Sequence, residues 1–133
     1  MEKIVKFEQL SPNLIVDDVN KAVDYYTRNL GFTMVVSVPE TGRYNFAIVN
    51  RDGINIMFQT LPSIQEDMPA LKVVSKGGLG TFYINIQGVD AFYKELKGKV
   101  DIVVDMRTTF YGAKEFVVKD PNGYFLAFAE DVK

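Results

Sequence analysis

The sequence predicts an α+β fold made of two tandem βαβββ modules, and three observations carry that expectation. Each half opens on an apolar strand-like run that passes directly into helical spacing. Each half closes on a turn-forming tetrapeptide between two alternating segments. The halves also superimpose at a single offset, because Gly123 minus Gly53 gives 70.

In the first half Leu14, Ile15 and Val16 form the opening run. Val19, Val23, Tyr26 and Leu30 then recur at about one helical turn, the spacing of an amphipathic helix. Asp18 stands where an N-cap is expected and Gly31 where a left-handed C-terminal stop is expected. Alternation predicts strands over 33–38, 44–49 and 54–60, the last two joined through Asn50-Arg51-Asp52-Gly53. The second half repeats the plan. Phe82, Ile84 and Ile86 lead into Val89, Tyr93 and Leu96, and Gly98 is the stop. Strands are expected over 100–106, 115–119 and 124–129, with Asp120-Pro121-Asn122-Gly123 as turn chemistry.

At the shift of 70, Leu14 meets Ile84, Val16 meets Ile86, Val19 meets Val89, Phe46 meets Phe116 and Phe58 meets Phe128, with no gap. The chain therefore reads as one domain of two repeats: 8–60 the first module, 61–80 a linker, and 81–131 the second module. Pro62 and Pro69 bracket a stretch with short-helix character, and Gly77-Gly78 interrupts the chain before the second repeat.

Composition narrows the chemistry. Hydrophobic residues make up 47% and charged residues 24%, as in a folded domain of 133 residues. The N-terminal stretch has no apolar run suited to a signal peptide, and no run approaches the roughly 20 residues of a membrane span. A cytoplasmic location without membrane contact is the expectation. A net charge of −2 with no clustered Lys and Arg argues against nucleic acid as a partner. With no Cys and no His, thiol nucleophiles, histidine-based triads and imidazole metal sites are all excluded. Acid–base work would fall to Asp, Glu, Lys or Tyr.

The stretches PNLIVDDVNKAVDYYTRNLGF and YGAKEFVVKDPNGYFLAFAE carry a resemblance. They are similar to the opening strand–helix unit and the closing hairpin of the vicinal-oxygen-chelate superfamily, which includes glyoxalases, bleomycin resistance proteins and extradiol dioxygenases. The nearest branch is the metal-free bleomycin-resistance type. The resemblance implies curved mixed sheets forming an incomplete barrel, a homodimer, and a ligand cleft with walls from both chains. Its metal-ligand positions fall on Ser11, Met57, Thr81 and Ala127. Two hydroxyls, a thioether and a methyl do not suit hard or borderline cations, so neither metal nor other cofactor is expected. The resemblance also implies an acidic cleft for a cationic drug, which a net charge of −2 supports only weakly.

Strand alternation from those positions marks one face of each sheet. The candidate ligand-binding residues are Asn13, Tyr44, Phe46, Asn55, Met57, Gln59, Tyr83, Asn85, Phe116 and Phe125, with Arg107 and Tyr111 in a loop at the cleft mouth. The same alternation carries Lys114 and Val118 to the cleft with Phe116 and turns Glu115 away from it, toward solvent. A face mixing aromatics with amides suits a ligand pocket. A closed interior whose polar groups bond one another is the alternative. No catalytic residue is assigned. The leading function is capture of an amphipathic or aromatic small molecule, as antibiotic-sequestering proteins do. A metal-independent lyase or isomerase, with Tyr44 and Tyr83 as first candidates, and a dimeric interaction module with a vestigial cleft are the alternatives.

Overall fold

The computed structural model describes residues 8–69 and 81–132. The first half contains β1 (Asn13–Ile15), α1 (Val19–Arg28), β2 (Thr33–Val38), β3 (Phe46–Arg51) and β4 (Ile54–Gln59), followed by a short α2 (Leu61–Asp67). The second contains β5 (Thr81–Asn85), α3 (Val89–Leu96), β6 (Asp101–Thr108), β7 (Ala113–Lys119) and β8 (Phe125–Asp131). Two four-stranded mixed sheets result, ordered β1-β4-β3-β2 and β5-β8-β7-β6, each with its first strand parallel to its last. The α+β expectation and the βαβββ plan of each half both hold. Gly77-Gly78 lies outside the described residues.

Local chemistry explains the helix starts. The Asp18 carboxylate accepts from the Lys21 N–H and caps α1. The second helix begins on Gly88 in the left-handed region, with no side chain of its own to cap it. Glu130 of β8 supplies the acceptor instead, taking the Gly88 and Val89 N–H groups at 3.1 and 3.0 Å.

The helix-facing sides of both sheets share one core. Leu14, Val16, Val49 and Phe58 pack beneath α1, and the same cluster continues through Val89, Leu96, Phe116, Leu126 and Phe128. Two polar contacts fasten the halves within this apolar mass. The Tyr26 hydroxyl donates to Asp120 at 2.8 Å. The Tyr124 hydroxyl accepts from the Ile15 N–H and donates to the Ile15 carbonyl, closing the free edge of β1.

The two modules are not in register throughout. From Gln59 to Ala129 the offset is 70, yet their cross-strand partners Phe46 and Glu115 differ by only 69. The cause is turn length. Arg51 pairs with Ile54 across a two-residue turn, Asp52-Gly53, in which both residues have positive φ. In the second hairpin Asp120 donates its N–H to the Tyr124 carbonyl, so three residues, Pro121, Asn122 and Gly123, form the loop. One extra residue reverses the facing of every side chain on β7. Phe116 and Val118 therefore oppose Phe128 and Leu126 on the helix side, and Lys114 reaches Asp90 of α3 at 2.7 Å. Phe116 is 0% exposed. Its placement in the cleft, with Lys114 and Val118, is corrected: all three belong to the helix side, and Glu115 takes the open face.

Candidate functional site

Among the described residues, α1 and α3 each pack on one face of their sheet, and α2 reaches the second face of the first sheet at Gln59. On the first sheet that open face carries Asn13, Ile15, Phe46, Ile48, Asn50, Asn55, Met57 and Gln59, as the cross-strand pairs dictate. Its polar groups are amides arranged in short relays. Asn13 donates to the Gln59 carbonyl oxygen at 2.9 Å, and Gln59 donates to Ser63 of α2 at 3.0 Å. Asn50 donates to Asn55 at 2.8 Å. The Asn13 side-chain oxygen is buried without a partner. An unmet amide acceptor of this kind costs free energy.

On the second sheet the open face carries Tyr83, Val117, Phe125, Ala127 and Ala129 around Glu115. This carboxylate is only 3% exposed and is fully engaged. Tyr111 and Tyr83 donate to one oxygen at 2.6 and 3.1 Å, and Arg107 donates to the other at 2.9 Å. Burial by itself pushes the Glu115 carboxyl upward, but the hydrogen bonds from Tyr111, Arg107 and Tyr83 outweigh it and hold the group below its usual range. The same cluster moves Tyr83 the other way. Desolvation, then its hydrogen bonds with Tyr111 and Glu115, push the phenol up to about 12.

The depressed carboxyl gives a pH prediction. Its contribution to stability is complete above the unfolded glutamate value of ~4.3 and is lost as pH falls through the lower folded value. Urea unfolding of wild type and Glu115→Gln over an acid series should show a stability gap that is constant near neutrality and shrinks below about pH 4. A gap unchanged into strong acid would mean that Glu115 is not held ionised.

The structure brings most of the sequence candidates to the open faces, though not as one constellation. Asn13, Phe46, Asn55, Met57 and Gln59 share the first sheet, and Tyr83 and Phe125 the second. Arg107 belongs to strand β6 instead of a loop, because pairing with β7 extends to Thr108. Tyr111 does lie in the β6–β7 loop, beside a fully solvent-exposed Phe110. Tyr44 departs from expectation. It precedes β3, its N–H donates to Asn20 of α1 at 2.8 Å, and its ring packs on the buried core. The β-strand alternation used to place it does not extend that far. Asn85 ends β5 and lines a different space, a cavity of about 730 Å³ between the halves walled by Leu30, Phe32, Ile84, Phe92 and Phe128. The cavity's Arg51 is already committed to the Leu30 carbonyl at 2.6 Å and to the face of Phe92. The open faces hold the more developed polar chemistry.

Sequence reasoning missed Glu115, Asn50 and Ser63 as participants. The legible signal for Glu115 was the unequal turn: Asp-Gly suits a two-residue hairpin, whereas Asp-Pro-Asn-Gly cannot be one with proline in its second position.

Of the positions where metal-dependent relatives place ligands, Met57 stands beside Asn13 and Ala127 beside Tyr83. Their donor set does not fit a cation, and among the described residues no three His, Cys, Asp or Glu side chains converge to hold one. No helix among the described residues is long and apolar enough to cross a membrane.

Two βαβββ modules, each with a helix packed on one face of its sheet and a mixed polar and aromatic opposite face, define the fold class. The chain belongs to the Glyoxalase/Bleomycin resistance protein/Dioxygenase superfamily, whose family model matches residues 6–128. It is 26% identical over 133 residues to an uncharacterised protein of Mycobacterium bovis, covering 93% of this chain and 84% of the relative. It is 25% identical over 134 residues to the bleomycin resistance protein of Geobacillus stearothermophilus, covering 94% and 98%. Among solved structures, TioX from Micromonospora sp. superposes with a TM-score of 0.75 at 20% identity, covering 95% of this chain and 100% of TioX. The bleomycin-binding protein of Streptomyces verticillus, in complex with copper(II)-bleomycin, superposes with a TM-score of 0.66 at 22% identity, covering 98% and 99%.

Proposed function

We propose that this protein captures a small aromatic or amphipathic molecule against the open faces of its sheets, without transforming it, in a cleft that a second copy completes. The observation that carries this reading is the Glu115 cluster: a buried, fully bonded carboxylate on the sheet face opposite α3, ringed by the exposed Tyr83 and Tyr111. A polar network this complete fixes the orientation of Tyr83 and Tyr111, and their rings present flat apolar surface around it. Val36 and Val38 on the first sheet, and Tyr83, Phe110 and Tyr111 on or beside the second, are exposed. Exposed apolar surface of this kind suits a partner or ligand. A named relative is a bleomycin resistance protein, which supports sequestration of a toxic compound as the physiological purpose.

A metal-independent lyase or isomerase fits less well. A general acid or base works best with a pKa near the operating pH. Glu115 is displaced downward and Tyr83 upward, both away from neutrality. A vestigial interaction module is the remaining reading, and it predicts no ligand response.

Thermal-shift measurements with bleomycin, copper(II)-bleomycin and a panel of neutral aromatic metabolites test the proposal. A ligand at a hundredfold excess over its Kd should stabilise the protein by ~2.7 kcal/mol, and sedimentation should show a dimer. Failure of every compound to raise Tm would sink the capture reading and favour the interaction module.

A further inference from the structure

We infer that this site selects uncharged aromatic ligands over cations and anions, and that Arg107 is the residue setting that preference by neutralising Glu115. The inference rests on the capture reading above and adds the chemical class of the ligand. Its basis is the charge inventory of the two open faces. On the first sheet the polar side chains are Asn13, Thr33, Asn50, Asn55 and Gln59, none of them ionisable, among Ile15, Phe46, Ile48 and Met57. On the second, Glu115 is the buried charge, and Arg107 is its cross-strand partner as well as its ion-pair partner at 2.9 Å. The remaining charges of that face lie at strand ends: Asp101 opposite Lys119, and Asp131 opposite Ala113 at the exposed end of β8.

Among the described residues, the Glu115 carboxylate is fully engaged and offers no open oxygen to a cation. One carboxylate oxygen of Glu115 is taken by Tyr83 and Tyr111 and the other by Arg107. A ligand ammonium entering here would have to displace a guanidinium already seated, or lie beside it as a like charge. An anion has the converse difficulty. Drawing Arg107 toward itself would leave a buried carboxylate without its counter-charge. An uncharged ring avoids both, stacking on the exposed rings of Tyr83 and Tyr111 without disturbing the ion pair. Arg107 reaches the buried Glu115 from an exposed position, its side chain 58% exposed against 4%, so Arg107→Lys, which keeps the counter-charge, is the conservative control.

Fluorescence titration with three aromatic probes tests the inference: N-phenylnaphthylamine (uncharged), anilinonaphthalene sulfonate (anionic) and proflavine (cationic). Wild type should bind the uncharged probe at least about tenfold more tightly than either ion. Arg107→Met should improve proflavine binding on the order of tenfold, and Glu115→Gln should improve sulfonate binding to a similar degree. The double variant should return to the wild-type order, and Arg107→Lys should keep it. A purely structural role for the pair would weaken all three probes together and could not yield opposite shifts. Thermal melts of each variant establish that it is folded, and Glu115→Gln carries the test if Arg107→Met is not. Tightest binding of proflavine by wild type, or Arg107→Met and Glu115→Gln variants that both leave the order of probes unchanged, would overturn the inference and leave the capture reading standing. Binding of no probe by any folded protein would overturn the capture reading, and this inference with it.

Discussion

Phe116→Ala is expected to lower the free energy of unfolding by about 3–5 kcal/mol, one of the largest effects of any single truncation in the chain. The ring is completely buried and meets Tyr93, Phe128 and Phe92 at centroid distances of 5.3, 5.5 and 6.3 Å. Removing it opens a cavity in the core beneath α3, and β7 cannot collapse to fill it while paired on both sides. Urea unfolding measures the loss. The same substitution distinguishes the two facings of β7. A cleft residue would lose ligand affinity at little cost in stability, whereas a core residue loses stability first. A midpoint within experimental error of wild type would place the ring at the surface and overturn the register described here.

Asp120→Ala is expected to cost about 3 kcal/mol or more, although the residue lies in a turn where substitutions are ordinarily mild. Asp120 is 3% exposed and its carboxylate serves three donors. One oxygen accepts the N–H groups of Asn122 and Tyr124, each at 2.9 Å, and so shapes the three-residue loop. The other accepts the Tyr26 hydroxyl from the opposite half at 2.8 Å. Truncation leaves a buried phenol without an acceptor and loosens the loop that sets the facing of β7. Tyr26→Phe removes only the inter-half bond and should cost about 1–2 kcal/mol by the same urea measurement. If the two variants were equally mild, the halves would not be fastened through this contact.

Both predictions turn on features that the sequence displayed without interpreting. The helices were legible because Val19, Val23 and Tyr26, and likewise Val89, Tyr93 and Leu96, recur at helical spacing whatever surrounds them. Residues 33–38 were legible as a strand from their alternation, and β2 occupies that range. The first sheet's open face followed from counting by twos across a turn whose two-residue length is visible in Asp-Gly. Counting failed on β7, since a constant offset assumes equal turns. It failed again at Tyr44, which precedes the strand whose alternation was used to place it.

By itself, then, the sequence determined the repeat, the kinds of element and their order, and the chemistry closed off by the absence of Cys and His. These are local or compositional properties, expressed at periods of 3.6 and 2 residues and independent of distant contacts. Tertiary structure alone decided which face of β7 meets α3, that Tyr26 and Asp120 join the halves across 94 residues, and that Arg107, Tyr83 and Tyr111 converge on one carboxylate. The physical reason is register. A single inserted turn residue is nearly invisible in a sequence pattern, yet it exchanges the two faces of a strand and with them the core and the candidate site.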